Sequence, residues 1–172
     1  MRSAGVASTP LPELLLESLR ATAGARELRL CAVALCRRVE QHLTPECRVA
    51  LEVAEDYAHA NVDEGRRRAV YKSVEASCIY VDGDSPAPER FSGFAAEAVL
   101  CTLFGADDAP SIPNYAATCA IAASRAVVEV LVAAAELQGR SEEELDCIVE
   151  DESRAHCQVI RSMLSRPEPH SR

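Results

Sequence analysis

ELRLCAVALCRRVEQHLTPECRVALEVAEDYAHA, residues 27–60, decides the fold class. Leu28, Cys31, Ala32, Leu35, Val39 and Leu43 recur at three- and four-residue steps. That period predicts a helix over 25–43 with one apolar face, leaving Glu27, Arg38 and Gln41 for water. Thr44-Pro45-Glu46 then restarts the chain as a helix: a hydroxyl to cap, proline at the first helical position, and an acid in the first turn. This next helix is expected to run to about Ala60, with Cys47, Ala50, Leu51, Ala54, Tyr57 and Ala58 inward.

The same signals extend outward in both directions. Upstream, Thr9-Pro10 starts a short helix over LPELLLESLR that ends before Gly24, and residues 1–9 read as a flexible arm. Downstream, Asp63 caps a helix to about Tyr80, with Ala69, Val70, Val74 and Cys78 inward. Residues 81–92 and 105–113 have loop composition and flank a helix over 92–104. An alanine-rich helix over 114–138 is apolar nearly all round, which marks a central helix, and Gly139 closes it. Ser141 and Glu144 form a capping box for a last helix over 142–165, followed by a flexible tail at 166–172. No window alternates with period two, and no fixed repeat persists. The expected architecture is all-α: one domain over 10–165, a compact antiparallel bundle of six or seven helices, arranged in part as helical hairpins.

Charge and cysteine content narrow the function classes. The chain has 172 residues with 27 acids and 18 bases, a net charge of −9. It lacks the basic excess of a nucleic-acid binder, and the short run Arg66-Arg67-Arg68 sits beside Asp63 and Glu64. Its apolar stretches read as too interrupted to span a membrane. Eight cysteines stand among apolar neighbours without a Cys-x-x-Cys pair, and residues 1–10 lack the apolar core of a secretory leader. Reduced cysteines acting as small buried hydrophobes, in a cytoplasmic protein, are the expectation.

Few residues suggest chemistry. Glu52, Asp56 and His59 fall at i, i+4 and i+7, putting two carboxylates and an imidazole on one helix face; they are candidate metal ligands, with His42 and His156 as further donors. The second Glu-x-x-His motif of a helical carboxylate site is missing, since Glu152 and His156 are four apart. Glu150 and Arg154 are spaced for an ion pair. Gly-rich phosphate loops and the G-x-S-x-G elbow are absent, so no catalytic residue and no cofactor is assigned. Candidate recognition residues are Arg37 and Arg38 and the loop acids Asp82, Asp84, Asp107 and Asp108.

The stretches LRLCAVALCRR (28–38), HLT (42–44) and RVALEVAEDYA (48–58) resemble an uncharacterised Ala/Arg/Cys-rich helical family of planctomycetes and other large-genome bacteria. Its members carry an L-R-L-F-A-C-A-C-C-R-R type motif followed by a helix of the type A-V-E-V-A-E-x-Y-A. LLLESLR (14–20) is similar to their leading helix, and AHCQVIRSML (155–164) to their closing A-x-L-L-R-D-I-F segment. Val33, Leu35 and Ser162 depart from the pattern, where relatives carry Ala, Cys and Asp. The Ala-rich pattern at 48–58 also resembles immunity proteins of bacterial polymorphic toxin systems. These resemblances imply a helical fold and no catalytic residue. The leading expectation is a protein-interaction module, an adaptor or inhibitor, binding a protein partner of basic character through an acidic helical surface, with a homo-oligomer as a further possibility. The alternatives are a metal-binding or redox-active bundle, and a ligand-sensing domain with its pocket between the long central helix and residues 81–113.

Overall fold

Thr44, Asp63 and Ser141 cap helices in the computed structural model of the chain, which describes residues 11–105, 108 and 114–164. Cys47 N donates to Thr44 Oγ1 (3.2 Å) and Arg66 N to Asp63 Oδ1 (2.8 Å). The Ser141–Glu144 box closes both ways: Ser141 N donates to Glu144 Oε2 (2.9 Å) and Glu144 N to Ser141 Oγ (3.4 Å). Among the described residues there are seven helices and no strand: α1 (Pro12–Leu19), α2 (Ala25–Arg37), α3 (Pro45–Ala58), α4 (Glu64–Ser77), α5 (Ala87–Thr102), α6 (Tyr115–Leu137) and α7 (Glu142–Leu164). The expected all-α bundle is the observed fold. The arm at 1–9, the Thr9-Pro10 start, the tail at 166–172 and Asp107 lie outside the described residues.

α6 is the hub. It packs along α5 and α2, and also touches α1 and α7. Alanines at 95 and 98 of α5 and at 117, 120, 123 and 126 of α6 are all buried, and such small side chains shorten the distance between helix axes. One apolar cluster takes residues from every helix, including Leu16, Leu28, Leu35, Leu51, Val74 and Ile160. Burying each of the large ones stabilises the fold by about 1.5–3 kcal/mol. α2 and α1 each contact both α6 and α7, so they fill the valley between those two helices over part of its length.

Several boundaries differ from expectation for local reasons. α2 stops at Arg37 and gives way to a 3-10 turn at Glu40–His42, rather than running to 43. α3 ends at Ala58, and Ala60 takes the left-handed conformation (φ 59°) that turns the chain out of the helix. α4 ends at Ser77, not near Tyr80; the chain then extends so that Val81 packs on Gly93 of α5. A Cβ at Gly93 would fall 2.5 Å from Val81 Cγ2 and 2.9 Å from the Ile79 carbonyl, so glycine is required there. α5 begins at Ala87 instead of 92: Pro86 is its N-cap and Pro88 lies in the first turn, where the missing N–H costs nothing. Ala69, expected inward, is exposed, and Arg67 takes the inward position.

The expectation of no membrane-spanning stretch also needs correction. By length and composition α6 is apolar enough to cross a membrane (mean hydropathy 1.7), although half of that stretch is buried inside the bundle.

Candidate functional site

Toward its N-terminus, α7 carries the apolar stripe that faces the core further down. Ile160, His156 and Glu152 are buried, but none of residues 142–150 is. Leu145 and Val149 continue the stripe where the bundle no longer covers it. The C-terminal turns of α6 run alongside, joined by a tight connection in which Gly139 adopts φ 74°. Between the two helices lies a groove of 690 Å³. Leu131, Ala134 and Ala135 of α6 and Ile148 of α7 form its apolar floor. Glu143, Glu144, Asp151 and Glu152 supply acids along the α7 side, and Arg140 and Gln138 lie at the connection. His42, at the end of the 3-10 turn, also lines it. Residues 141–153 hold seven acids and no base, which is most of the chain's net negative charge in one short segment.

Glu152 joins this groove to a buried polar line. Arg38, the residue that closes α2, donates to it through Nε and, at 2.9 Å, through Nη2. His156 Nε2 approaches Glu152 Oε1 at 3.0 Å, outside hydrogen-bonding angles. On the ring's other side, His156 Nδ1 lies 2.8 Å from Ser124 Oγ of α6. Burial works against ionisation of Glu152, but the hydrogen bonds and positive charge of Arg38, with the imidazole of His156 close by, outweigh it and hold the carboxyl at about 2.

A serine, an imidazole and a carboxylate in this order resemble a hydrolytic triad. Two features weigh against that chemistry here. Ser124 and His156 are 1% and 0% exposed, so no substrate reaches the hydroxyl. Ser124 also sits in mid-helix, where neighbouring N–H groups are used by the helix itself and cannot stabilise an oxyanion. The line instead fixes α2, α6 and α7 against one another directly beneath the groove.

The second buried charge centre is Arg67, which is 1% exposed. It donates from Nε to Glu64 Oε2 (2.9 Å) and from Nη2 to Asp108 Oδ1 (3.1 Å), and it reaches the Leu103 carbonyl through Nη1. Its guanidinium faces the Tyr57 ring at 5.5 Å, and Arg29 stacks on the same ring at 4.7 Å. Hydrogen bonds from Arg67 above all hold Glu64 at about 2. Gly105 follows from this packing: a Cβ there would lie 2.9 Å from the Arg67 guanidinium carbon. The cluster ties α4 to the segment leaving α5. A cleft of 300 Å³ beside it, lined by Arg68, Tyr71 and Lys72 among others, does not involve α6.

The candidates from sequence are dispersed. Glu52, Asp56 and His59 are all exposed, and His59 Nδ1 meets Arg26 at 3.1 Å instead of facing the carboxylates. Among the described residues no group of three His, Cys, Asp or Glu side chains is placed to hold a metal ion. Arg37 pairs with Glu40 (2.8 Å) and Glu55 (2.6 Å), and Arg38 with Glu152. Asp82 organises its own turn, accepting from Asp84 N (3.1 Å) and Ser85 Oγ (3.0 Å). Asp84 is exposed in that turn, and Asp108 is held by Arg67 and by Gly105 N at 2.6 Å. Arg154 pairs with Asp151 at 2.6 Å, not with Glu150 as the spacing predicts. The ligand pocket expected between α6 and residues 81–113 falls partly outside the described residues; beside Cys101 and Phe104 there is a cavity of 10 Å³, about the room of a single water.

Burial pushes the Cys31 and Cys119 thiols up to about 12, and raises Cys36 and Cys101 further. That is the opposite of the depressed thiol a redox-active site needs. Cys147, on the groove wall, is exposed and Cys78 is half-buried, while the other six are buried. A thiol reagent added to the native protein is therefore expected to modify Cys147 first and Cys78 more slowly, with the rest reacting only on unfolding. Peptide mapping of the labelled sites checks this.

No protein-family model, curated protein or solved structure matches the chain.

Proposed function

We propose that the chain is a small cytoplasmic protein-interaction module, an adaptor or an immunity-like inhibitor, that engages a basic protein partner through the α6–α7 end of the bundle. One observation carries the reading: four acids, from a segment (141–153) that holds seven acids and no base, line a groove whose floor is apolar and open. An apolar floor rewards a partner that brings apolar side chains, and the acidic wall selects and steers a basic one. The raised thiols favour a structural role for the cysteines over the redox alternative, and the exposed, separated Glu52, Asp56 and His59 give the metal-binding alternative little support.

Native mass spectrometry of the protein purified under reducing conditions from its own host tests this. The expected species is a complex with a second protein of high isoelectric point, which dissociates as ionic strength rises. The bare chain alone, or the chain with a stoichiometric metal or small ligand, would contradict it.

A further inference from the structure

We infer that the partner enters the groove as one short amphipathic helix with a small-to-medium apolar stripe and lysine or arginine on its flanks. This rests on the interaction reading above and deepens it by naming the binding mode.

Elsewhere along its length the α6–α7 valley is filled. Through the body of the bundle a third helix lies against both walls: α2 and α1 each contact α6 and α7. α2 ends at Arg37, and the chain turns away at Glu40–His42. His42 lines the groove, so the vacancy begins where that turn ends. Past this point the walls continue, Leu131 to Gln138 on one side and Glu143 to Glu152 on the other. At 1.5 Å per residue these walls run about 10–14 Å, two to three helical turns. The open groove is therefore the continuation of a helix-binding valley, and a helix has the shape that already fits it.

The floor sets the packing. Ala134 and Ala135 let a helix backbone come close, while Leu131 and Ile148 offer larger surfaces to interdigitate with. Such grooves bind amphipathic helices by apolar anchors at i, i+3, i+4 and i+7. The flanks set the charge. Glu143, Glu144 and Asp151 are exposed, and Glu152 is held ionised at the floor's edge. Arg140 on the wall pairs with Glu144 (2.8 Å), Arg154 with Asp151 (2.6 Å) and Arg38 with Glu152, so a partner's bases compete with these pairs and add to the charge met at Glu143. A second copy of this chain fits poorly, since it would bring another seven acids from its own α7 against the first set. A small polycation would satisfy the acids but leave the apolar floor wet.

The test is a titration of the ¹⁵N-labelled full chain with a three-turn helical peptide carrying a Leu/Ala stripe and Lys/Arg flanks. The controls are a peptide of the same residues reordered to destroy the stripe, and spermidine. The expected result is amide shifts confined to 131–138 and 142–152, induced peptide helicity, and clearly weaker binding by the reordered peptide. The double substitution Glu143→Lys with Asp151→Lys reverses two exposed charges and should raise Kd by at least about tenfold, because like charges then face each other. Ala134→Arg should block the floor by size. Thermal melts establish that both variants fold, and a variant that does not fold is replaced by Glu143→Gln with Asp151→Asn.

Equal binding of both peptides would overturn the helix in favour of unspecific attraction. Spermidine binding in the groove without peptide binding would overturn it in favour of a small polycation, and shifts elsewhere would overturn the location. If the host partner is captured equally by the wild type and both groove variants, the interaction reading stands and the groove-bound helix falls. If no partner forms at all, the interaction reading itself falls.

Discussion

Arg67→Ala is expected to cost the fold about 3–5 kcal/mol, because it removes one member of a buried, hydrogen-bonded ion cluster and leaves the others behind. The Leu103 carbonyl loses its donor, Asp108 loses the cation it faces at 2.8 Å, and a space opens against Tyr57. Glu64 suffers less, since Arg68 also donates to it at 2.7 Å and it is partly exposed. Arg67→Lys should restore part of the loss only. An ammonium is a point donor, and it cannot present one planar fork to Glu64 and Asp108 while reaching the Leu103 carbonyl. Urea unfolding of the two variants beside the wild type measures both. A cost below about 1 kcal/mol for alanine, the level of an exposed pair, would show that Arg67 is solvated in solution.

Glu152→Ala should be the next most damaging change, at about 1–3 kcal/mol, chiefly because buried His156 loses the carboxylate beside it, while Arg38 is exposed enough to fall back on water. The loss has a pH signature. Glu152 and Glu64 both sit near 2 in the folded protein against an ordinary 4.5. A carboxyl whose folded value is depressed adds stability that is fully present above its unfolded value. That stability disappears as pH falls through the window from 4.5 toward 2. The wild type should therefore lose stability steeply over this window. Glu152→Ala starts lower and falls less, because one of the two contributions is already gone. Parallel acid slopes for the two proteins in urea titrations at stepped pH would contradict the assignment.

Local signals in the chain carry a good deal of this architecture. Thr44, Asp63, Ser141 with Glu144, and Gly139 each specify an end of a helix through atoms within a few residues, and each does so in the structure. The apolar period of residues 28–43 likewise depends on nothing distant. What fails locally is what depends on a partner far along the chain. Residue 67 reads as one arginine of a basic run, because its Asp108 and Leu103 partners come from beyond α5. Nothing near His156 announces Ser124, which lies 32 positions away on another helix. Pro86 and Pro88 read as loop residues, although the first turn of a helix tolerates them equally well.

The groove had a legible half and a hidden half. Seven acids without a base over 141–153 are plain in the sequence, and four of them line the groove beside Ile148. That this stretch outruns the bundle's cover depends on where α2 stops, and a 3-10 turn ending at His42 decides that. The sequence of 25–43 continues its apolar period straight through the turn, so the vacancy could not be read there.

Hydrogen exchange on the complex with the host partner tests the binding face most directly. In the free chain, amides of 142–150 should exchange faster than those of 152–164, since none of the former residues is buried. On binding, protection should rise at 142–152 and at 131–138, and stay unchanged in α3 and α4. Protection that appears on α3, α4 or the 78–86 segment, with the α6–α7 end exchanging as in the free chain, would contradict the account.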